Sequence, residues 1–466
     1  MSDIEEHRKK IEDVTLEMIK LLKTRTDIAK QIGDAKASLG MTVTEEERED
    51  ALRTQVAKLC KEIDLDQSTA SKFLNLLLNE SVKVQSDNKQ THLSVFLKAK
   101  ALEEEGKKII HLEVGEPNFK PPKEVKTALE EVYNKGYGKY GPVKGTTELR
   151  KALAERTECE FENIMVCPGA RFAVYLAITT LLNPGDEIIV IEPAWPAYKD
   201  CALNAGIKVR TIKTTLETKW EPSVDQINNA INENTKMIVL NYPNNPTGKI
   251  LPKKLLDSII QTAKEHDLYV LSDEIYENYL VGKTKEEWEV KPAKSILTYG
   301  YKKSIITKSF SKSYAMTGYR IGWVIAEPSI IEKMSKLQAL SLTNVSEPIQ
   351  YVALQALKAD ENMTENYVDD AQAETPWDDW LHHLVESAKD IALEFIEPDG
   401  AMYLFARTKH TNFDATKFSE KLLEHGVAIA PGEGFGDYKE FFRITAIYPD
   451  DMQEGMTILD SVLKES

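Results

Sequence analysis

No proline occurs before Pro117, and this absence constrains the fold of the beginning of the chain more than any other sequence feature. Proline breaks the interior of a helix, so its absence permits helices of unusual length. Within residues 3–39, apolar side chains recur every seven residues in two series, a period typical of a long helix that packs against another helix. The first series is Ile4, Ile11, Met18, Ile32 and Leu39, and the second is Val14, Leu21, Ile28 and Ala35.

Two shorter helices are expected to follow this long one. The first covers about residues 45–63, with Thr44 as N-cap and Glu47 three residues later in the pattern of a capping box. The second covers about residues 66–85 and carries an apolar run that includes Leu77. A three-helix unit with one very long helix cannot bury its own stripe, so we expect it to pair with a second copy.

Basic residues interrupt the apolar stripe of the first helix. Arg25 occupies an apolar position of the first series, and Lys36 lies eleven residues further on, on the same helix face. Arg8 precedes Arg25 by seventeen residues, which is roughly 26 Å along a helix axis. No small ligand spans that distance, so Arg8 and Arg25 share a site only if Arg8 comes from a partner's antiparallel helix. The alternative for Arg25 is a long side chain that reaches solvent from the helix edge.

Eight polar residues of this segment resemble, in order and spacing, the active-site pattern of the all-helical type II chorismate mutase family. They are Arg8, Arg25, Lys36, Glu45, Arg48, Glu49, Ser81 and Gln85. The resemblance covers residues ~3–88 and implies an all-α mutase domain.

The resemblance also implies roles for these side chains. Arginines at Arg8, from the partner chain, and Arg25 would hold the two carboxylates of chorismate. Lys36 and Gln85 would stabilise negative charge on the ether oxygen during rearrangement to prephenate. Glu49 would accept the ring hydroxyl, with Arg48 nearby. Glu45 stands where the family often has Asp. The alternative is a dimerisation or regulatory module that binds aromatic intermediates without turnover.

Composition bounds the class of the whole chain. At 466 residues it is too long for one ordinary core, so at least two domains are expected. The net charge of −16 argues against nucleic-acid partners and anionic membrane surfaces. The four cysteines have no C-x-x-C spacing, which indicates reduced thiols in a cytoplasmic protein and no metal site. The charged start and the lack of an apolar run of ~18 residues predict neither signal peptide nor membrane span.

Beyond a polar run at residues 86–92, the pattern changes to alternating helices and short apolar strands. This alternation predicts an α/β fold with a mostly parallel sheet. We therefore divide the chain into residues 1–88, a linker at 89–92, and residues 93–466. Candidate strands lie at 109–112, 164–166, 187–191, 208–212, 237–240, 269–271, 305–306 and 322–324.

One stretch of the second part, SFSKSYAMTGYR at residues 309–320, carries its most specific chemistry. Lys312 stands between small hydroxyl residues, which allow a flat cofactor to come close, and Arg320 follows at a distance that suits a phosphate. A surface lysine in a serine-rich loop is the alternative. The stretch resembles the cofactor-lysine motif of class I/II pyridoxal-phosphate aminotransferases.

Further motifs extend this resemblance over residues ~93–466. They include EPAWPAY with Trp195, NYPNNPTG with Asn245, VLSDEIY with Asp273 and Tyr276, and a late stretch with Arg443. The resemblance implies a pyridoxal 5'-phosphate transferase fold with a large domain at about 135–335 and a small α/β domain combining 93–134 with 336–466.

The same resemblance assigns the cofactor contacts. Lys312 would form the Schiff base and shuttle the proton, and Trp195 would stack on the pyridine ring. Asp273 would pair with the pyridine nitrogen. The phenolic oxygen and the phosphate would be contacted by Asn245, Tyr276, Ser309, Arg320, the backbone N–H groups of Ala170 and Arg171, and Tyr140 of the neighbouring subunit.

Substrate contacts follow from the same pattern. Arg443 would pair with the α-carboxylate, and Gly115 would allow close backbone approach. Arg171 departs from the small hydroxyl often found at its position, so it is a candidate for a second carboxylate, with a surface cation as the alternative. Residues 361–386 also depart from the family, and their adjacent pair His382–His383 does not predict a metal site.

Together these patterns predict a bifunctional cytoplasmic enzyme of aromatic amino acid biosynthesis. It would rearrange chorismate to prephenate and transaminate prephenate or an aromatic 2-oxo acid, with glutamate or aspartate as donor. Its partners would be these small molecules and further copies of itself, as a homodimer or a larger assembly. The alternatives are an aspartate aminotransferase whose helical part is regulatory or dimerising, and an aromatic aminotransferase that ignores prephenate.

Overall fold

The computed structural model describes residues 2–39, 46–86, 92–117, 119–281, 295–359, 377–391, 393–409 and 413–465. The chain divides into two compact units, Met1–Lys89 and Gln90–Ser466. The first unit is helical, and the second is an α/β fold, so the predicted fold class is confirmed. No helix within the described ranges is both long enough and apolar enough to cross a membrane.

The first unit contains three described helices: α1 Ser2–Leu39, α2 Glu46–Ile63 and α3 Gln67–Ser86. The side of α3 that carries Leu74 and Asn75 is buried, and α3 packs on both α1 and α2. Most of the apolar stripe of α1 stays exposed, with Ile11 at 67% and Leu21 at 62%. The predicted N-cap, Thr44, lies outside the described residues.

The second unit carries thirteen further helices in its described part. The α-helices are α4 His92–Glu104, α5 Lys123–Asn134, α6 Thr147–Arg156, α7 Ala170–Leu181, α8 Ala197–Asn204, α9 Val224–Ala230, α10 Lys253–Glu265, α11 Phe310–Ser313, α12 Pro328–Leu342, α13 Glu347–Ala359, α14 Trp377–Asp390, α15 Ala415–Glu424 and α16 Pro449–Lys464. Short 3-10 turns lie at Phe161–Asn163, Ile296–Tyr299, Thr317–Tyr319 and Gly432–Phe435.

Seven strands form the main sheet in the order β2-β8-β7-β6-β5-β3-β4. Strands β3 to β7 run parallel to one another, whereas β8 runs antiparallel to both of its neighbours. The strands are β2 Ile164–Cys167, β3 Glu187–Glu192, β4 Lys208–Lys213, β5 Thr235–Asn241, β6 Tyr269–Asp273, β7 Ser304–Ser309 and β8 Gly322–Ala326.

The side chains of these strands alternate between two apolar cores. Ile188 and Val190 of β3 pack on one face, and Ile189 and Ile191 pack on the other. A strand buried on both faces has helices above and below it, which explains why these segments read as continuous apolar runs in the sequence.

Two smaller sheets complete the unit. Strands β12, β13, β10 and β9 form an antiparallel sheet, and β1 pairs in parallel with β11. These strands are β1 Ile110–His111, β9 Glu394–Phe395, β10 Tyr403–Arg407, β11 Val427–Ala428, β12 Ala430–Pro431 and β13 Phe441–Thr445. Of the segment at 361–386, residues 361–376 lie outside the described residues, while Trp380 of α14 is buried in a core with β10 and β13.

Candidate active site

The carboxyl ends of parallel strands β5, β6 and β7 open onto a cavity of about 330 Å³. Side chains from segments after five strands of the main sheet meet there, as expected for ligand sites in open α/β sheets. Residues that line it include Trp195, Asn245, Asp273, Tyr276, Lys312 and Arg443. Residues far apart in the sequence therefore share one pocket.

Lys312 projects into this cavity from α11, the short helix that directly follows β7. The helix is capped by Ser309, whose Oγ accepts from the backbone N–H of Ser311 at 3.1 Å. Lys312 Nζ donates to the carbonyl of Gly115. Burial lowers the pKa of Lys312 to about 8, although the nearby Glu116 carboxylate opposes the shift. A lysine with this pKa supplies a neutral amine near pH 8, which is the form that reacts with an aldehyde.

Asp273 ends β6 and is buried. Its carboxylate accepts from Tyr198 Oη at 2.7 Å and from Thr307 Oγ1 at 3.1 Å. Burial raises the pKa of Asp273 to about 6, while these two hydrogen bonds hold it down. A cationic ring nitrogen beside this carboxylate would favour its charged form. The position therefore fits a pyridinium group.

A second part of the cavity, at the start of α7, fits a phosphate. Helix α7 begins at Ala170 after Gly169, which has a φ of 90°. A Cβ on Gly169 would lie 3.0 Å from Arg320 Nη2, so the glycine lets the guanidinium approach the helix N-terminus. Arg320 Nη1 also donates to the carbonyl of Thr317 at 2.6 Å. Backbone N–H groups at a helix start together with an arginine make an anion site.

Two serines next to Lys312 in the sequence, Ser309 and Ser311, take different positions in the structure. Ser311 lines the cavity. The hydroxyl of Ser309 lies 3.0 Å from the carbonyl of Ile321 and 2.9 Å from Ser311 Oγ, so it holds the turn together. The predicted phosphate contact of Ser309 stays a prediction, and Ser311 is the hydroxyl that the structure brings to the cavity.

An aromatic wall is formed by Trp195, which follows β3. Its ring meets that of Tyr198 edge-on, with centroids 5.3 Å apart. On the cavity rim, the guanidinium carbon of Arg171 lies 4.6 Å from the centroid of the Trp195 ring. Arg171 is exposed yet lines the cavity, so its charge is available to a ligand there.

Arg443 lies in the middle of β13 and is almost fully buried, with 2% of its surface exposed. Its Nη1 donates to Asn245 Oδ1 at 2.8 Å, and its Nη2 donates to the carbonyl of Glu113. The guanidinium carbon lies 4.3 Å from the centroid of the Tyr403 ring and 5.0 Å from that of Phe435.

No carboxylate in the described part of the chain forms an ion pair with Arg443, and its Nε has no hydrogen-bond partner. A buried cation without a counter-ion costs free energy unless a ligand supplies the anion. Since Arg443 lines the cavity, it can bind a carboxylate there.

Three further cavity residues had no predicted role: Tyr198 of α8, which ends the motif EPAWPAY, and Phe96 of α4 and Tyr403 of β10, which lie outside the motifs. Tyr403 Oη lies 2.5 Å from Tyr276 Oη. A Cβ on Gly115 would lie 1.9 Å from Tyr403 Oη, which explains why position 115 is glycine. The stretch GAMYLF around Tyr403 does not by itself indicate a site residue, because an aromatic residue in an apolar run is normally part of a core.

Tyr140 stands apart from the cavity of its own chain. It is 88% exposed and is absent from the cavity lining. Its predicted contact with the cofactor phosphate of a neighbouring subunit remains a prediction.

In the helical unit, the structure joins Arg25 of α1 to α3. Arg25 Nη1 donates to Ser81 Oγ at 2.5 Å and to the carbonyl of Leu77 at 2.6 Å. Arg8 is exposed and pairs with Glu5 at 3.3 Å. The one-chain structure does not bring Arg8 to Arg25, as their spacing along α1 requires.

The remaining mutase candidates are only partly described. Lys36 and Glu49 are half-buried, and Arg48 is exposed. Glu45 and the side chain of Gln85 lie outside the described residues. The roles of these residues stay predictions.

Comparisons with known proteins identify both parts of the chain. Residues 107–459 match the model of the aminotransferase class I and II family. Residues 7–86 match the model of chorismate mutase type II. The two matches do not overlap.

Individual relatives agree with the first of these matches. The chain is 34% identical over 366 residues to an aspartate aminotransferase of Pyrococcus horikoshii, which covers 76% of this chain and 91% of that protein. It is 32% identical over 365 residues to an aspartate/prephenate aminotransferase of Thermus thermophilus, covering 77% and 92%.

A solved structure agrees as well. The aspartate aminotransferase of Thermus thermophilus with maleate superposes with a TM-score of 0.74 at 30% identity, covering 82% of this chain and 98% of that one. The cavity described above, with its amine, buried carboxylate and anion site, fits pyridoxal 5'-phosphate, the cofactor on which this family depends. The chain therefore belongs to the class I and II aminotransferases, and it carries a type II chorismate mutase domain before its aminotransferase domain.

Proposed function

We propose that this chain is a bifunctional enzyme of aromatic amino acid biosynthesis. Its mutase domain rearranges chorismate to prephenate. Its aminotransferase domain then transfers an amino group from glutamate or aspartate to prephenate, giving arogenate. The observation that carries the acceptor assignment is that the cavity has two cations besides the reactive lysine and the arginine of the anion site: Arg443, and Arg171 over Trp195.

Two cations suit an acceptor with two carboxylates. Prephenate has one carboxylate on its 2-oxo acid side chain and a second on its ring. Arg443 binds the first, because it is buried, planar and held between Tyr403 and Phe435. Arg171 binds the second, since its position on the rim of the cavity leaves room for the ring.

The residues of the cavity perform the proton chemistry of transamination. Pyridoxal phosphate, when bound, supplies an electron sink for the electrons of the substrate Cα–H bond. Lys312 Nζ would accept the proton released from the substrate Cα and would then donate it to the cofactor, as its lowered pKa allows. The buried Asp273 carboxylate would hold a proton on the ring nitrogen of the cofactor.

Two more side chains orient the reacting groups. Asn245 accepts a hydrogen bond from Arg443 through its Oδ1. Its amide N–H groups would therefore be available to the phenolic oxygen of the cofactor. The hydroxyl of Tyr276 lies 2.5 Å from that of Tyr403, and this contact fixes its position.

The mutase domain needs no nucleophile. Arg25 is held by Ser81 and the carbonyl of Leu77, and it would bind one carboxylate of chorismate. Lys36, Gln85, Glu45, Arg48 and Glu49 would surround the ether oxygen and the ring hydroxyl. Arg8 of the partner subunit would bind the second carboxylate.

This arrangement requires a homodimer at least. The exposed apolar stripe of α1, with Ile11 67% and Leu21 62% accessible, supports pairing of two helical units. The exposed Tyr140 supports a second contact between aminotransferase domains. We place the enzyme in the cytoplasm, an assignment supported by its four unpaired cysteines.

One experiment tests the proposal with separable variants. The holoenzyme is supplied with chorismate and glutamate, and products are followed by chromatography. Wild type should form arogenate, and Lys312→Ala should accumulate prephenate. Arg25→Ala should consume no chorismate but should still aminate added prephenate. If wild type accumulates prephenate while transaminating oxaloacetate, the aspartate aminotransferase alternative is correct.

A further inference from the structure

A histidine outside the cavity stands between two carboxylates. His111 of β1 has its Nδ1 2.8 Å from Glu113 Oε1. Its Nε2 lies 3.2 Å from Glu103 Oε1, within ion-pair distance, although the two are not aligned for a hydrogen bond. A neutral imidazole carries one N–H, so it would present a lone pair to one of the carboxylates. Only the imidazolium form presents an N–H to both.

The burial of the Glu113 carboxylate makes a positive charge on His111 necessary. The Glu113 side chain is 0% exposed, and its Oε2 has no hydrogen-bond partner. A buried carboxylate needs a charged partner or it becomes costly. The imidazolium of His111, itself 23% exposed, is the cation that the structure places beside it.

The backbone next to this pair holds the reacting groups of the cavity. The carbonyl of Glu113 accepts from Arg443 Nη2, and the carbonyl of Gly115 accepts from Lys312 Nζ. Backbone pairing next to the short strand β1 ends at Leu112, whose N–H donates to the carbonyl of Ala428 at 2.9 Å and whose carbonyl accepts from Thr445 at 2.8 Å, so it does not extend to Glu113. The side chain of Glu113 is therefore an anchor for the backbone that orients Arg443.

The same histidine also holds a wall of the cavity. Glu103 lies on α4, seven residues after Phe96 and hence on the same helix face. Phe96 lines the cavity, and its ring centroid is 6.1 Å from that of His111. The contact between His111 and Glu103 thus fixes α4 and Phe96 against β1.

We propose that His111, as an imidazolium held between Glu103 and Glu113, is a positioning residue for substrate carboxylate binding in the transamination site. It acts through the carbonyl of Glu113 on Arg443 and through α4 on Phe96. It touches no reacting atom, so its loss weakens substrate binding more than it slows the chemical step. This inference rests on transamination alone and holds for any 2-oxo acid that the enzyme accepts.

The arrangement predicts a pH dependence. The hydrogen bond with Glu113 raises the pKa of His111, burial opposes the shift, and Glu103 adds to it. A raised pKa means that the cation is present at low pH and is lost as the pH rises through that pKa. Substrate affinity should therefore fall with rising pH.

Two lysines on the elements next to His111 each pair with a carboxylate. Lys100 of α4 pairs with Glu103 at 2.7 Å, and Lys108 pairs with Glu454 of α16 at 2.7 Å. The neighbouring strand β11 contributes Val427 and Ala428, which carry no charge.

The test compares His111→Gln and Glu103→Gln with a matched control, His382→Gln, an exposed histidine on α14. Each holoenzyme is assayed for KM and kcat with glutamate between pH 6 and 9, and the Kd of succinate, a dicarboxylate that cannot react, is measured in parallel. For His111→Gln we expect KM and Kd to rise about tenfold at low pH, kcat to stay within about twofold, and the pH dependence of Kd to disappear. Glu103→Gln should show the same pattern with a smaller rise, and His382→Gln should match wild type.

Two results would overturn the proposal. One is a Kd of succinate for His111→Gln that follows the wild-type pH profile. The other is a loss of kcat in proportion to lost cofactor absorbance with KM unchanged, which indicates a purely structural role. If His111→Gln does not fold, the result for Glu103→Gln decides alone. The Glu103 side chain is 33% exposed, and its replacement leaves the pair of His111 and Glu113 intact. An acceptor other than prephenate would refute the proposed function and leave this inference untouched.

Discussion

Replacing Arg443 by lysine keeps the positive charge and removes the planar fork. Arg443 donates one N–H to Asn245 Oδ1 and one to the carbonyl of Glu113. Its guanidinium group also lies near the rings of Tyr403 and Phe435. Lysine has a single flexible ammonium group, so it cannot serve both partners and also pair bidentately with a carboxylate.

The size of the effect follows from the hydrogen bonds that are lost. A hydrogen bond to a charged group contributes about 1.5–3 kcal/mol. Arg443→Lys should lose one such bond to the substrate carboxylate, which is about a 10- to 150-fold loss of kcat/KM. Arg443→Met should lose two, which is about 10²- to 10⁴-fold, and should leave Asn245 without its partner.

The assay measures kcat/KM for glutamate and, separately, for an amine that lacks the α-carboxylate. The loss should appear with glutamate and not with the amine. The matched control is Arg407→Lys, because Arg407 lies on the neighbouring strand β10 and pairs with Glu394 at 2.9 Å outside the cavity. Equal losses with both substrates would refute the assignment of Arg443 to the carboxylate.

Three further predictions concern other residues of the cavity. Without cofactor, the lowered pKa of Lys312 makes its charged form unfavourable in the folded state. Wild type should therefore gain stability relative to Lys312→Met as the pH rises from about 8 towards 10.5. Urea unfolding of both proteins at several pH values measures this difference in stability, and a difference that does not change with pH would contradict the prediction. Asp273→Asn should lower kcat by at least about 10²-fold while cofactor absorbance is retained, since the amide cannot pair with a cationic ring nitrogen; a kcat near that of wild type would contradict this role. Gly115→Ala should raise KM at least about tenfold. The new Cβ would lie 1.9 Å from Tyr403 Oη and must displace this hydroxyl, which holds Tyr276. An unchanged KM would show that the contact between Tyr403 and Tyr276 is unimportant for substrate binding.

Periodicity and motif chemistry were sufficient to predict much of this molecule. The seven-residue series before Pro117 predicted the long helix, and α1 runs Ser2–Leu39. Apolar runs predicted the strands of the main sheet because those strands are buried on both faces. The antiparallel sheet of β9, β10, β12 and β13 was not among the predicted strands. Strands β9 and β12 are two residues long and leave no periodic signal, and β10 and β13 are buried almost throughout, so they do not show the alternation of a half-exposed strand.

The site was predictable only where the chemistry has a sequence pattern. Lys312, Asp273 and Asn245 stand in distinctive sequence motifs, and the structure brings them to one cavity. Phe96 and Tyr403 reach the same cavity through tertiary packing, which a single sequence does not report. The contacts predicted for Arg8 and Tyr140 involve a second copy of the chain, so they stay predictions.

The central claim is that the two domains catalyse consecutive steps, and the acceptor preference of the aminotransferase tests it most directly. Steady-state kcat/KM is measured for prephenate, phenylpyruvate and oxaloacetate, each with glutamate and with aspartate as donor. We predict a kcat/KM for prephenate at least about tenfold above the others, which is ~1.4 kcal/mol of transition-state preference, and a loss of that preference in Arg171→Ala. A preference for oxaloacetate or phenylpyruvate, or an Arg171→Ala variant that keeps the wild-type preference, would contradict it.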